Sequence, residues 1–527
     1  MSFERTITSR GKKYRQLVES VWDREKKQSR IHVIRHLGSV VDRNGKEVTI
    51  PPESRFSSID MTYPVGNIAV FWKIAEELHI LRCLSDSIGE DNAAAILLLA
   101  MNQLTGRRAL TKIGDWITGS PIHRWITFDY EKITKDYFLN ALDSISSWKG
   151  NVYESHSADI QHRLSEKWKG MMGSDRARYF FYQDITRIRW NGNENEFAER
   201  GYGSQVGRPH IGFGLLVSRD HYMPLAGYAV RGSNPDKVTV RETMDNLHSW
   251  KMKRIVLVWD RGFVSRANIE YALKMKYNVL SGGPHTSSEV DAWISKYQDS
   301  EIERRENIIR MPRDRGIYFV DEIGTLFGHT CRIVVIMDPE RRNRDRIERD
   351  IAIQRLESGT SGRIIAEIKA SLSPIVKTAR GRRGYVIAPA EEERARKLDG
   401  RSLLFCTDVS MPGRDIVKTY FQKDRVEKAF RHLKGDASLS PVRYQIPGRV
   451  EAYLSVINFV AYEIIAAILW KIETNHMEIS YEDLMDKLSG ISEVVLIRKG
   501  SKIYRWTTVS QEMQKLLKPF DVLSLQA

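Results

Sequence analysis

A short run at positions 254–259, RIVLVW, constrains this chain more than any other feature. A strand with one wet face alternates apolar and polar residues. A run without alternation reads as an interior strand covered on both faces, as in parallel sheets flanked by helices. The run stops at Asp260-Arg261-Gly262. Ser265 then caps a helix reaching about Lys276, and Tyr277–Leu280 reads as another short strand. Upstream, Arg178–Arg189 (RYFFYQDITRIR), His210–Val217 and Met223–Val230 have strand character. The glycines of 201–207 join two of these strands and lack the spacing of a phosphate loop, so they read as a hairpin turn. Ser233-Asn234-Pro235-Asp236 opens a helix running to about Trp250. The predicted order from residue 178 is therefore β-β-β-α-β-α-β, an α/β fold.

Length and charge set the context. At about 150 residues per domain, 527 residues suggest three or four domains. Lys and Arg total 82 against 67 Asp and Glu, a net charge of +15, which favours a polyanionic partner. Cys83, Cys331 and Cys406 are too scattered for a zinc cluster or a disulfide framework, pointing to a reduced, cytoplasmic setting. The first residues carry no apolar signal segment. The most apolar stretch, Ala452–Trp470, is interrupted by Asn458 and Glu463 and reads as a buried core helix.

Period and composition divide the chain further. Residues 1–60 form a basic β-hairpin element: up to Arg35 there are ten Lys/Arg against four acids. Helical spacing marks 61–170, where Ile68, Phe71, Ile74, Leu78 and Leu81 recur at three- and four-residue steps. The α/β core occupies 171–285 and resumes at 405–475. Between them, 286–404 is a β-rich insertion, and 476–527 is a small mixed element. Within the insertion, Arg341–Arg349 reads as a solvated helix. Lys377, Arg380, Arg382 and Arg383 form a basic, glycine-rich, DNA-binding loop. One helix is expected from Pro412 to Gly435 and another from Gly448 to Asn475.

Three acids fall at meaningful places. Asp184 lies inside the first strand, between Tyr182 and Ile185, and Asp260 ends the fourth. In a sheet of this order the first and fourth strands can be neighbours, bringing two carboxylates together. That is costly unless a cation lies between them, and hard divalent ions prefer carboxylate oxygens. Singly, either acid could instead be a hydrogen-bonded strand residue. Glu427 lies on the helix after the insertion. At about 100° per residue, an unbroken helix puts Tyr420, Lys423, Glu427 and Lys434 on one stripe beside an apolar arc of Val426, Ala429, Phe430 and Leu433. A metal-and-phosphate site and a salt-bridged helix surface both fit such a stripe.

Tyr420, Lys423, Glu427 and Lys434 match the spacing Y-x2-R-x3-E-x6-K, with Lys423 in place of the arginine. Together with YQDIT at Asp184, GYGSQVGRP at 201–209, VWDRG at Asp260 and VEKAFRHLK at 426–434, the chain resembles the DDE transposases of prokaryotic insertion sequences. More narrowly, it is similar to the branch with a β-rich insertion before the catalytic Glu. The resemblance covers nearly the whole chain. It implies a ribonuclease-H-like core with a mixed five-stranded sheet, and cut-and-paste transposition. Asp184, Asp260 and Glu427 would be catalytic and bind two Mg2+ ions, with Mn2+ able to substitute. Tyr420, Lys423 and Lys434 would hold DNA phosphate. Partners would be double-stranded DNA, both terminal inverted repeats and target, with the ends recognised by residues 1–170. A dimer on DNA and a nucleoid-associated, cytoplasmic location are also implied. Hairpin-forming relatives carry a Trp in the insertion's last strand, where Ser402–Cys406 offers only Phe405. The alternatives are a ribonuclease-H-like nuclease without strand transfer and a catalytically silent, transposon-derived DNA-binding protein.

Overall fold

The computed structural model describes the chain except residues 1, 24–27, 44, 51–57, 150–151, 173–177, 193, 201–207, 285, 313–314, 358–374, 379–384, 499–500 and 527. The described chain is mixed α/β and divides into two compact units. One comprises Met1–Lys73, Asp115–Ile126 and Met477–Ala527; the other comprises Ile74–Gly114 and Thr127–His476.

In the first unit the basic N-terminus is larger than a hairpin. Strands Ser2–Ser9, Lys12–Asp23, Gln28–Arg43 and Lys46–Ile50 form a four-stranded antiparallel sheet. The C-terminal segment does not stand alone: strand Ser492–Arg498 pairs with Ser58–Pro64 and with Ser501–Trp506. Glu493 is buried there and satisfied by Tyr63, Trp506 and the Arg124 guanidinium. A buried carboxylate without such partners would be strongly unfavourable.

The second unit is built on a ten-stranded sheet. Nine strands are labelled here: β1 Tyr179–Arg189, β2 Pro209–Ser218, β3 Pro224–Arg231, β4 Ile255–Trp259, β5 Asn278–Gly282, β6 Ile308–Arg310, β7 Gly316–Leu326, β8 His329–Met337 and β9 Arg401–Cys406. Their order is β3-β2-β1-β4-β5-β9-β8-β7-β6, and the short Glu199–Arg200 pairs with β2. Strands β1, β4 and β5 are parallel, while β2 runs against both β1 and β3. The β4 run is buried throughout, as its lack of alternation requires. Trp259 of β4 donates to Gln183 of β1, and Gln183 donates to the Tyr228 hydroxyl on β3. This buried polar row ties three strands together.

Two expectations need correction. The sheet has ten strands rather than five, because β6–β9 of the insertion continue the central sheet through the antiparallel β5–β9 pair. Arg341–Arg349 does fall on a helix, Pro339–Glu357, but the helix is not simply solvated. Arg349 is buried against Asp399, Arg341 donates to Ser402, and Arg342 pairs with Glu303. Its alternating charges are used for docking.

Helices cover both halves of the sheet: α1 Val240–Ser249, α2 Arg266–Lys274, α3 Gly413–Phe421, α4 Asp424–Lys434 and α5 Pro447–Thr474. The Ser265 side chain caps α2 as expected. Helix α5 is long and apolar enough to cross a membrane, yet 94% of its most apolar window is buried inside the protein. Within it, burial pushes the Glu463 carboxyl up to about 8, so it is neutral at pH 7 and accepts the Trp168 indole N–H.

Candidate active site at the edge of the central sheet

The register of β1 against β4 builds the site. Gln183 lies opposite Trp259 in this parallel pair. One residue further along each strand come Asp184 and Asp260, side by side where β4 ends. Asp184 is half-buried and accepts its neighbour Ile185 N–H at 2.8 Å. Burial, together with the like charges of Asp260 and Asp236, outweighs that bond and the Lys423 charge and pushes its carboxyl up to about 6. Asp260 caps the turn Arg261–Phe263 by accepting the Arg261 N–H at 2.9 Å. Burial opposes its charge too. The Lys423 ammonium, 3.0 Å from Oδ2, more than offsets this and holds the carboxyl below its ordinary range. Lys423 is held above its own ordinary value because Asp260 and Tyr420 outweigh its desolvation.

Chain 412–435 is not one helix. Helix α3 stops at Phe421, and α4 begins at Asp424. The buried faces explain the break. On an unbroken helix at about 100° per residue, the α3 set (Ile416, Val417, Thr419) and the α4 set (Val426, Ala429, Phe430, Leu433) would be offset by roughly 100°. Turning at Gln422–Lys423 lets α3 pack on β5, β7, β8 and β9 while α4 packs on β1 and β2. The Tyr182 hydroxyl on β1 donates to the Thr419 carbonyl, and Phe430 meets Phe213 of β2 edge-on. The single-stripe geometry is therefore overturned. Tyr420 and Lys423 precede α4, and only Glu427 and Lys434 share its face, at i and i+7.

The break nevertheless brings most of these side chains together. Asp260, Arg261, Tyr420, Phe421, Lys423 and Glu427 line one open cleft of about 540 Å3. Glu427 is exposed on its wall. Lys434 is exposed in the last turn of α4, outside the lining. Two glycines make the close approach possible. A Cβ at Gly282 would sit 2.8 Å from the Tyr420 hydroxyl, and one at Gly262 would sit 3.0 Å from Asp236 Oδ2.

Asp236 is the residue that sequence reading passed over as a helix-start acid. It leaves the loop after β3, which runs parallel to β1, and so reaches the same sheet edge. Arg187 of β1, three residues beyond Asp184, holds it at 2.9 Å. Burial and Asp260 outweigh Arg187, so its carboxyl is raised. Its signal in the sequence was an acid a few residues past the third strand, which runs parallel to the strand carrying Asp184.

Of the proposed DNA-binding loop, Lys377 lies on a short strand, Val376–Thr378, and its side chain is outside the described residues. Arg380, Arg382 and Arg383 lie outside them altogether, as does the 201–207 turn. Phe405 is fully buried and packs edge-on against Phe327, which excludes it as a stacking surface for a base. Trp293 donates to the Thr325 carbonyl on β7.

No protein-family model matches the chain, and no curated protein matches it. Among solved structures, a piggyBac transposase synaptic complex with hairpin DNA aligns over 81% of this chain and 80% of that chain, at 10% identity and a TM-score of 0.38.

Proposed function

We propose that the chain is a DDE-type transposase, a metal-dependent enzyme of DNA strand cleavage and transfer. The observation that carries this reading is the β1–β4 register, which brings Asp184 next to Asp260, together with the cleft that Asp260, Lys423 and Glu427 line. The order β3-β2-β1-β4-β5 with only β2 reversed supports a ribonuclease-H-like assignment of this half of the sheet.

The chemistry of these acids suits a divalent cation, with Asp260 and Glu427 on the cleft lining and Asp184 outside it. The Asp260 charge opposes ionisation of Asp184, and Lys423 acts against it at both acids, with Arg261 also favouring the Asp260 carboxylate. Asp184, Asp260 and Glu427 offer the oxygen donors that Mg2+ prefers, and they would hold the two ions this reading requires. Metal held there would supply activation of the attacking oxygen and stabilisation of the leaving oxygen. The chain's own residues would do the rest. Lys423, Tyr420 and Lys434 hold the scissile strand's phosphates, and the α3–α4 break keeps Tyr420 and Lys423 beside Asp260. The +15 charge supplies general attraction to DNA. In this reading residues 1–170 recognise inverted-repeat ends, two ends are joined by a dimer, and the enzyme works in the cytoplasm on the nucleoid.

The test is incubation of the full chain with labelled DNA from the two flanks of its own gene, an unlabelled target and Mg2+. Cleavage at the ends followed by joining to the target is expected. Asp184→Asn, Asp260→Asn and Glu427→Gln should each reduce both steps to background with end binding retained. Cutting without joining would move the reading to a nuclease, and binding without cutting to a silent DNA-binding protein.

A further inference from the structure

A second cavity, of about 370 Å3, lies within the same unit and belongs to no part of the cleft described above. It forms where the loop that follows α4 crosses the end of helix Glu90–Leu104. The chain fixes this loop from several directions. Gln103 donates to the Ala437 carbonyl, and Arg107 donates to the Ser438 and Pro441 carbonyls. Arg107 is buried at φ +30°, a left-handed conformation that costs a side-chain-bearing residue energy, and its guanidinium packs over the Tyr453 ring. Asn195 holds the loop through the Gln445 carbonyl. The cavity is therefore built, not a gap between mobile segments.

Its lining carries two kinds of chemistry. Leu99, Leu139, Ile446 and the half-buried Tyr444, whose ring also meets Tyr453 at a tilt, are apolar or aromatic. Arg107, Lys135 and Arg443 are cationic. Arg449 also lines the cavity, but a two-pronged pair with Asp143 cancels its charge. Arg107 gives its Nη1 donors to neutral carbonyls, and among the described residues no carboxylate pairs with Arg107 or Arg443. The volume is at the lower end for small-ligand pockets, where single organic molecules fit and a duplex does not. A flat apolar body joined to an anionic group satisfies both kinds.

We propose that this cavity takes one mononucleotide unit, its base against Tyr444 and the aliphatic side chains and its phosphate on Arg443, Lys135 and Arg107. The source is an unpaired nucleotide of a DNA strand or a free mononucleotide. Only the strand as source rests on the DNA-processing reading above. The loop carrying Arg443 and Tyr444 starts at the end of α4, so an occupied cavity would register a strand relative to the helix bearing Glu427.

Two duplexes decide it, one ending in a single unpaired adenine nucleotide and one with an abasic residue in its place. Binding to the full-length protein is measured by fluorescence anisotropy without divalent metal, with dAMP as a competitor. The adenine duplex is expected to bind about tenfold more tightly than the abasic one, the effect of one stacked base. Ile446→Trp, which fills the cavity from an exposed position, and Arg443→Glu should both erase that preference. Competition by dAMP extends the site to free nucleotides; no competition with the preference intact confines it to strand ends, and either result supports the proposal. Equal binding of both duplexes with no effect of dAMP overturns it while leaving the transposase reading standing. A preference that survives both variants also overturns it. Binding of dAMP that Arg443→Glu removes, without any DNA binding, upholds the cavity and sinks the transposase reading; no binding of either probe sinks both.

Discussion

In the half of the sheet formed by β9, β8, β7 and β6, buried acids are paired with arginines. Buried Asp338 at the end of β8 meets Arg315 and buried Asp399 before β9 meets Arg349, while in a third pair it is Arg401 of β9 that is buried, against the exposed Asp299. At the edge of β1 and β4, Asp184 accepts one backbone N–H, and the charges acting on it are Lys423, Asp260 and Asp236. The first arrangement neutralises acids so that strands can join. The second keeps a carboxylate in a place where its charge is unfavourable. An acid whose partners do not overcome the cost of its burial is a better pointer to chemistry than an acid that is merely buried.

The largest effect on folding should come from the paired half. Removing one partner of a buried ion pair leaves the other charge uncompensated and costs about 3–5 kcal/mol. Arg349→Met should lower the stability of the full chain on that scale, read as a shift in the denaturant midpoint. Arg349→Met combined with Asp399→Leu should recover most of the loss, since apolar replacement of a whole buried pair is often neutral. If the single variant is as stable as the parent, Asp399 is no more dependent on its arginine than Asp184 is, and the contrast between the two halves disappears.

The opposite sign is expected at the sheet edge. Asp184 has a folded value near 6, above its ordinary range. Its contribution is fully present below the unfolded value near 4 and is lost as pH rises through 6. The ionised carboxylate thus costs the folded state up to about 2–3 kcal/mol at pH 7. Asp184→Asn should stabilise the chain at pH 7 by up to that amount and have little effect at pH 4. Mg2+ should raise the thermal midpoint of the parent and not that of Asp184→Asn. A variant that is less stable at pH 7, or that still responds fully to Mg2+, would place Asp184 with the structural acids.

The sequence showed the half of the sheet that carries these acids more clearly than the other half. RIVLVW announced a doubly covered strand, and the acid following it was visible at once, because both signals are local. Strand order allowed β1 and β4 to be neighbours, but the register that pairs Gln183 with Trp259 is visible only in the structure. The β5–β9 pair was hidden because it joins residues more than a hundred positions apart, and nothing in Ser402–Cys406 specifies its neighbour. The helix break at Gln422–Lys423 was hidden for a different reason. Neither Gly nor Pro marks it, and only the mismatch of two buried arcs, each belonging to a different part of the sheet, requires it. Asp236 was visible only as an acid in the first turn of a helix, since its reach to the sheet edge depends on β3 lying parallel to β1.

The smallest effect, and the finest test of the comparison, lies at Lys423. Its ammonium does for Asp260 what the arginines do in the other half, yet Asp260 is about half exposed, and partly wet pairs contribute no more than about 1 kcal/mol. Asp260 is held below its ordinary value, so the pair's contribution is present above pH 4 and fades as acid protonates the carboxylate. Lys423→Met should therefore cost less than about 1 kcal/mol at pH 7, and less again at low pH. Removing an internal cation that competes for Asp260 should also tighten Mg2+ binding, by up to about fivefold if the whole pair is released. Lys423→Arg should leave both quantities close to the parent. It keeps the charge and adds a planar fork suited to phosphate. Titration calorimetry with Mg2+ on the three proteins distinguishes the roles. Tighter binding in Lys423→Met marks a lysine that yields Asp260 to metal. Weaker binding in that variant would mean that Lys423 holds the site in shape and is another structural partner, like Arg349.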